Sequence, residues 1–131
     1  MEEQPMADYT AKHITDMQAG FGGGFVKVRA ELGVSSFGVQ VIRMPAGYED
    51  YPEHDHAGDG QEEVYTTLMG SGSIDIEGDH VDLEPGVFVR VASGTKRKVH
   101  AGPEGIEMLI IGACPGKTYE VNPVTELEPA A

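Results

Sequence analysis

Short runs rich in Val, Ile, Phe and Thr, interrupted every few residues by glycine, proline or acidic residues, run through the middle of this chain. That rhythm predicts β-strands at the spacing of a sandwich or barrel. Phe25 to Glu31 and Ser36 to Met44 read as a first strand pair, separated by Leu32-Gly33-Val34-Ser35. Glu63 to Met69 and Ser73 to Glu77 read as a hairpin around Gly70-Ser71-Gly72. Within the second run Ile74 and Ile76 alternate with Asp75 and Glu77, which predicts one buried and one wet face. Glu77-Gly78-Asp79-His80 supplies a tight turn, with Gly78 and Asp79 suited to positive φ. Val81 and Leu83 then face the core, Pro85-Gly86 turns the chain, and Val87 to Val91, Arg97 to Ala101 and Ile106 to Gly112 complete the set.

Helical periodicity is missing from this central stretch. A short helix is expected only near Thr10 to Gln18, and Gly20-Phe21-Gly22-Gly23-Gly24 reads as a flexible tract. The expected organisation is an N-terminal arm over residues 1–24, a β-barrel over 25–117 and a C-terminal tail over 118–131. Arms of this kind pack on a barrel or on a neighbouring subunit, so a homodimer is the expected assembly.

Length and charge narrow the field. With 131 residues there is material for one core, not two. Nine Lys and Arg against 22 Asp and Glu give a formal charge of -13. Phosphate recognition relies on clustered cations, so nucleic acid and anionic membrane are not expected partners. Lys96-Arg97-Lys98, the one cationic run, is too short to offset that charge. The single cysteine, Cys114, cannot form an internal disulfide and has no basic neighbour in sequence to activate it. It reads as a small buried or edge thiol. The opening Met1-Glu2-Glu3-Gln4-Pro5 lacks the basic start and apolar run of a signal peptide, and no stretch approaches the roughly 20 apolar residues of a membrane span. A reducing cytoplasm is the expected compartment.

The chemistry concentrates at His54 and His56. Alternate residues on an extended segment point the same way, so both imidazoles can face one point. A carboxylate from the next strand can meet them there, and two histidines with one carboxylate around an open position suit a catalytic transition metal. Glu63 is favoured over Glu62 as that carboxylate by its spacing to Gly70.

These residues resemble the first motif of the cupin superfamily, small double-stranded β-helix (jelly-roll) barrels. Gly47, six residues, His54-Asp55-His56, six residues, Glu63, six residues, Gly70 follows the family order. The first gap is one residue longer than usual and the second two or three longer, with the excess in Ala57-Gly58-Asp59-Gly60-Gln61, a loop composition. The second family motif keeps its spacing at Gly86, Ala92, Gly94, Arg97 and Ala101 but keeps only the glycines. Proline has become Ala92, asparagine Ala101, and the histidine that commonly supplies a fourth ligand has become Arg97. The resemblance spans roughly residues 36–112. It implies an all-β jelly-roll barrel and a divalent metal (Fe, Mn, Ni, Cu or Zn) held by His54, His56 and Glu63.

Arg97 admits two readings. It lines the pocket and holds a substrate carboxylate by paired hydrogen bonds, or it sits where the metal would be and pairs with Glu63. At about 6 Å and an effective dielectric near 20, a +1/+2 pair repels by roughly 5 kcal/mol, which Glu63 and solvent offset in part. His100, three residues on, faces the opposite side of a regular strand and does not replace the lost histidine. Tyr65 and Thr67 share the parity of Glu63, and Gln40 sits on a strand otherwise apolar, so all three are candidate pocket residues. Arg43 and His80 read as surface residues, His13 as part of the N-terminal arm, and Met44, Met69 and Met108 as core filler. Two functions follow: a small metalloenzyme acting on a small anionic metabolite, or a non-catalytic barrel that binds or senses a small molecule with Arg97 in place of the metal.

Overall fold

The computed structural model describes residues 7–129. The opening Met1 to Pro5, on which the signal-peptide reading rests, lies outside the described residues. Seven strands build one sheet: β1 (Ala19–Gly20), β2 (Phe25–Val26), β3 (Gly38–Met44), β4 (Glu62–Ile76), β5 (Asp79–Leu83), β6 (Phe88–Val91) and β7 (Arg97–Ala113). The order is β1-β2-β3-β7-β4-β5, with β6 also paired to β4, and every pairing between these strands is antiparallel. The expected all-β jelly-roll barrel is the fold observed. No helix among the described residues is long and apolar enough to cross a membrane.

The long strands β4 and β7 form the spine. They pair along nearly their whole length, with register shifts at Thr67/Met69 and Gly70/Gly72. The hairpin expected around Gly70-Ser71-Gly72 is therefore absent: β4 runs straight through those residues. The glycines serve close approach instead. A Cβ on Gly70 would lie 2.2 Å from the Gly105 carbonyl oxygen, and one on Gly72 2.2 Å from that of His100. On β7 the two expected strands, Arg97 to Ala101 and Ile106 to Gly112, are likewise one element, bent opposite Ser71.

Alternation decides the core. Glu63, Tyr65 and Thr67 of β4 face inward, as do Val99, Ala101, Ile106, Met108 and Ile110 of β7. They pack with Ile42 and Met44 of β3, Leu83 of β5, and Val89 and Val91 of β6. Met69 breaks the expectation for the methionines: beside the register shift it is 65 % exposed.

Two further segments differ from their reading. After Val26 the chain leaves the sheet and forms α1 (Val28–Leu32), stopped by Gly33 at φ 77, whose N–H donates back to the carbonyls of Arg29 and Ala30. Arg29 and Glu31 are buried by local polar partners rather than by strand alternation: Arg29 donates to the Val34 carbonyl, and Glu31 accepts from Lys12 and the Gln18 N–H. The helix expected over Thr10 to Gln18 is a single 3₁₀ turn, Ile14–Asp16, capped by the His13 ring. The tight turn after Ile76 is present, with Glu77 (φ 46) and Gly78 (φ 95) as its positive-φ pair in place of Gly78 and Asp79.

The chain after β7 returns across the sheet. Tyr119 is buried, the Lys27 ammonium donates to the Glu126 carbonyl at 2.7 Å, and Gln18 and Glu128 exchange two hydrogen bonds. This return brings Asn122, Val124 and Thr125 to the cavity beside Glu63.

Candidate metal centre

The segment before β4 is tied down by backbone bonds. His54 exchanges two hydrogen bonds with the Arg97 backbone (3.0 and 2.9 Å), and the His56 N–H donates to the Ser93 carbonyl at 2.7 Å. The loop then closes through Gly60, at φ 75, whose N–H donates to the His56 carbonyl. The two imidazoles lie with ring centroids 5.2 Å apart, nearly perpendicular. Glu63 reaches them from β4. Its register partner on β7 is Gly112, where a Cβ would lie 3.4 Å from the Glu63 Cγ. One ligand atom each from His54, His56 and Glu63 fall within 4.8 Å of one another, the one such grouping among the described residues.

Both rings are oriented from behind. His54 Nδ1 lies 3.1 Å from the Pro52 carbonyl oxygen, and His56 Nδ1 lies 3.0 and 3.1 Å from the two carboxylate oxygens of Asp59. A carbonyl can only accept, so this contact holds the His54 ring through an Nδ1–H donor. Metal-ligating histidines are held in this manner, by a carbonyl or carboxylate on the second nitrogen. His56 Nε2 and Glu63 Oε1 are 3.1 Å apart, close to what neighbouring ligands of one ion require with bonds near 2.1 Å. The residues present fit a divalent transition metal.

Glu63 Oε1 gathers three partners. It accepts from the Tyr65 hydroxyl at 2.8 Å, contacts His56 Nε2, and lies 3.6 Å from Arg97 Nη1. Burial pushes the Glu63 carboxyl up, but His56, Tyr65 and Arg97 outweigh it and hold it below the usual range. The hydrogen bond to Glu63 raises His56 against the opposing effect of burial. Tyr51, whose ring meets His54 edge-on at 5.9 Å, is pushed up to about 12 by burial and by the charge of Glu63. Tyr65 is raised well beyond its ordinary value, first by burial and then by Glu63.

The remaining candidates divide. Gln40 borders the small cavity, of about 160 Å³, that opens beside His54, His56 and Glu63. Oriented to satisfy its neighbours, its amide nitrogen donates to the carbonyls of Val39 and Val26. Thr67 is buried further along the same face of β4, with its hydroxyl unpartnered. Arg97 is wholly enclosed, at 0 % exposure. Its Nη2 donates to the Ala92 carbonyl at 3.0 Å, whereas Nε and Nη1 have no hydrogen-bond partner. A guanidinium enclosed in this way offers a substrate carboxylate no accessible fork, contrary to the first of its two sequence readings. Asp59 is the residue that sequence reasoning passes over. Its composition signals only a loop, although a carboxylate three residues beyond a ligand histidine is itself a cue.

No family model matches the sequence, and no curated protein matches it. Solved structures do. A cupin protein from Bacteroides fragilis is 25% identical, with a TM-score of 0.70 over 96% of this chain and 100% of that one. A predicted oxalate decarboxylase from Thermotoga maritima is 23% identical, with a TM-score of 0.53 over 59% of this chain and 65% of that one. The cupin_2 domain of an XRE-family transcriptional regulator from Enterobacter cloacae is 18% identical, at 0.55 over 63% and 86%. The last two share the fold alone, and as an enzyme and a regulator they show how little it says about chemistry. Fold, motif order and the full-length match agree in supporting the cupin superfamily for this chain.

Proposed function

We propose that this chain holds one divalent transition metal through His54, His56 and Glu63 and uses the open side of that centre to bind a small organic ligand. The observation that carries this reading is that one ligand atom each from His54, His56 and Glu63 fall within 4.8 Å of one another, with both rings held at Nδ1 by neighbours in their own loop. When bound, such an ion supplies Lewis-acid or oxygen-activating chemistry. Asp59 and the Pro52 carbonyl keep the rings in place, and Tyr65 steadies the carboxylate. Enclosed Arg97 sets the local charge: with Glu63 it is neutral, so a divalent ion leaves the centre at +2 and attracts an anionic head group.

The second reading is a metal-free binding barrel. It is favoured by Arg97 itself, a permanent cation 3.6 Å from Glu63 at the spacing where the family commonly has a ligand histidine. Elemental mass spectrometry of untagged protein after gel filtration separates the two. The metal reading expects about one equivalent of Fe, Mn, Ni, Cu or Zn, lost in His54→Ala and Glu63→Ala, and tighter binding in Arg97→His. Protein that stays metal-free after incubation with each ion would favour the barrel closed by Arg97.

A further inference from the structure

Beside the metal centre, and opening toward solvent, lies a groove of about 1020 Å³. One wall is the glycine loop at residues 21–24, the other the segment from Pro45 to His54, with Ile42 and Met44 between them. Phe21, Phe25, Tyr48 and Tyr51 line it, four of the nine Phe and Tyr residues in the chain. His54 borders both this groove and the small cavity that holds His56 and Glu63, as do Tyr51 and Phe25. We infer that the groove is the recognition site for an uncharged, ring-bearing body of the ligand, whose polar head reaches the metal centre past His54. This rests on the metal-binding reading above for the head group and on the groove alone for the body.

Three observations select that occupant. The groove has the size and apolar, aromatic lining of a small-molecule site with a few polar groups at one end. Among the described residues its charged lining is Arg43 and Asp50, and Arg43 Nε donates to Glu107 at 3.0 Å. One guanidinium beside a carboxylate is a poor site for a phosphate or a polyanion, which a chain of charge -13 would in any case repel. Phe21 is the third. It holds φ at 52, a left-handed conformation costly for a bulky side chain, while its ring is 77 % exposed. Its ring meets Phe25 edge-on at 6.0 Å, and Gly20, Gly22 and Gly23 around it leave room for the loop to turn. Strain of this kind is kept where it positions a side chain over a ligand.

The test compares 3-phenylpropionate with propionate, which share a head and differ by the ring, using calorimetric titration of zinc-loaded and metal-free protein. The parent should bind the phenyl compound about tenfold or more tightly than propionate when zinc-loaded. Phe21→Ala and, separately, Tyr48→Ser should each erase most of that preference with zinc content unchanged; both side chains are exposed enough to leave folding intact. Equal binding of the two acids by zinc-loaded protein, no binding of either, or a preference untouched by both substitutions overturns the groove assignment. So does concentration-dependent dimerisation that the same substitutions abolish, because the face is then an interface between two copies. Ring-dependent binding that persists in a protein unable to hold zinc overturns the metal reading and leaves the groove assignment standing.

Discussion

A histidine–carboxylate cluster lies on each face of the β4–β7 pair, and the two differ in how their ligand atoms converge. On the inner side stand His54, His56 and Glu63, with Arg97 behind them. On the outer side Asp75 bridges His80 and His100, whose remaining nitrogens face Asp82 and Glu49. Every ring nitrogen outside faces a carboxylate, so those imidazoles act as donors and are held above their ordinary pKa. Inside, the Pro52 carbonyl holds His54 at Nδ1, and His56 faces Asp59 at Nδ1 and Glu63 at Nε2. Residue type does not distinguish a metal site from a solvated ion network. The convergence of one ligand atom each from His54, His56 and Glu63 on one point does.

Arg97 gives the largest handle on that contrast. It is a fully enclosed cation with one carbonyl and one carboxylate for company, whereas the outer cations are open to water. Replacing it by Met removes a buried charge and leaves Glu63 less compensated. Breaking a buried pair costs several kcal/mol; with His56 still beside Glu63, a loss of about 2 kcal/mol is expected. The urea midpoint of metal-free protein measures it. The loss should shrink in metal-loaded protein, where the ion takes over the compensation of Glu63. A midpoint equal to the parent's in both forms would show that Arg97 is not coupled to Glu63.

Asp59 tests the inner cluster from behind. Asp59→Ala frees His56 Nδ1 without touching a ligand atom, and losses of this type weaken metal binding by about 10–100-fold. Chelator competition reads that change. Asp59→Asn, which retains an acceptor oxygen, should recover part of the affinity. An Asp59→Ala protein with parental affinity would mean that the loop backbone alone orients the ring.

The same contrast explains what is legible in the sequence. Strand alternation makes the inward face of β4 readable, and the His-x-His pair stands out because identical side chains two residues apart project to one side. Asp59 does not stand out, since Asp in a glycine-rich loop is ordinary turn chemistry. Gly70 and Gly72 mislead for a related reason. Glycine marks a turn and a backbone contact alike, and only the Gly105 and His100 carbonyls, far along the chain, decide between them. Val28 to Leu32 is lost to the strand reading because Arg29 and Glu31 are buried by polar partners from Val34, Lys12 and Gln18. Fold class survives such local errors because the paired long strands set it.

The smallest expected effect lies outside, at Asp75, and its pH dependence has a defined sign. Hydrogen bonds to Asp75 and Glu49 raise His80 and His100, so their contribution to stability is complete below about pH 6.5 and lost as pH rises through the elevated values. Asp75 is lowered by the same two histidines, so its contribution is present above about pH 4 and lost as pH falls through the depressed value. Asp75→Asn should therefore lower Tm most between about pH 4 and 6.5, and progressively less above that window. The shift should be small and fade with added salt, because every member is at least partly open to water. Metal affinity should be unchanged, since the outer network shares no atom with the inner one. A Tm difference that stayed constant from acid to alkaline pH would mean that Asp75 acts through strand pairing with β5 and β7 and not through its charge.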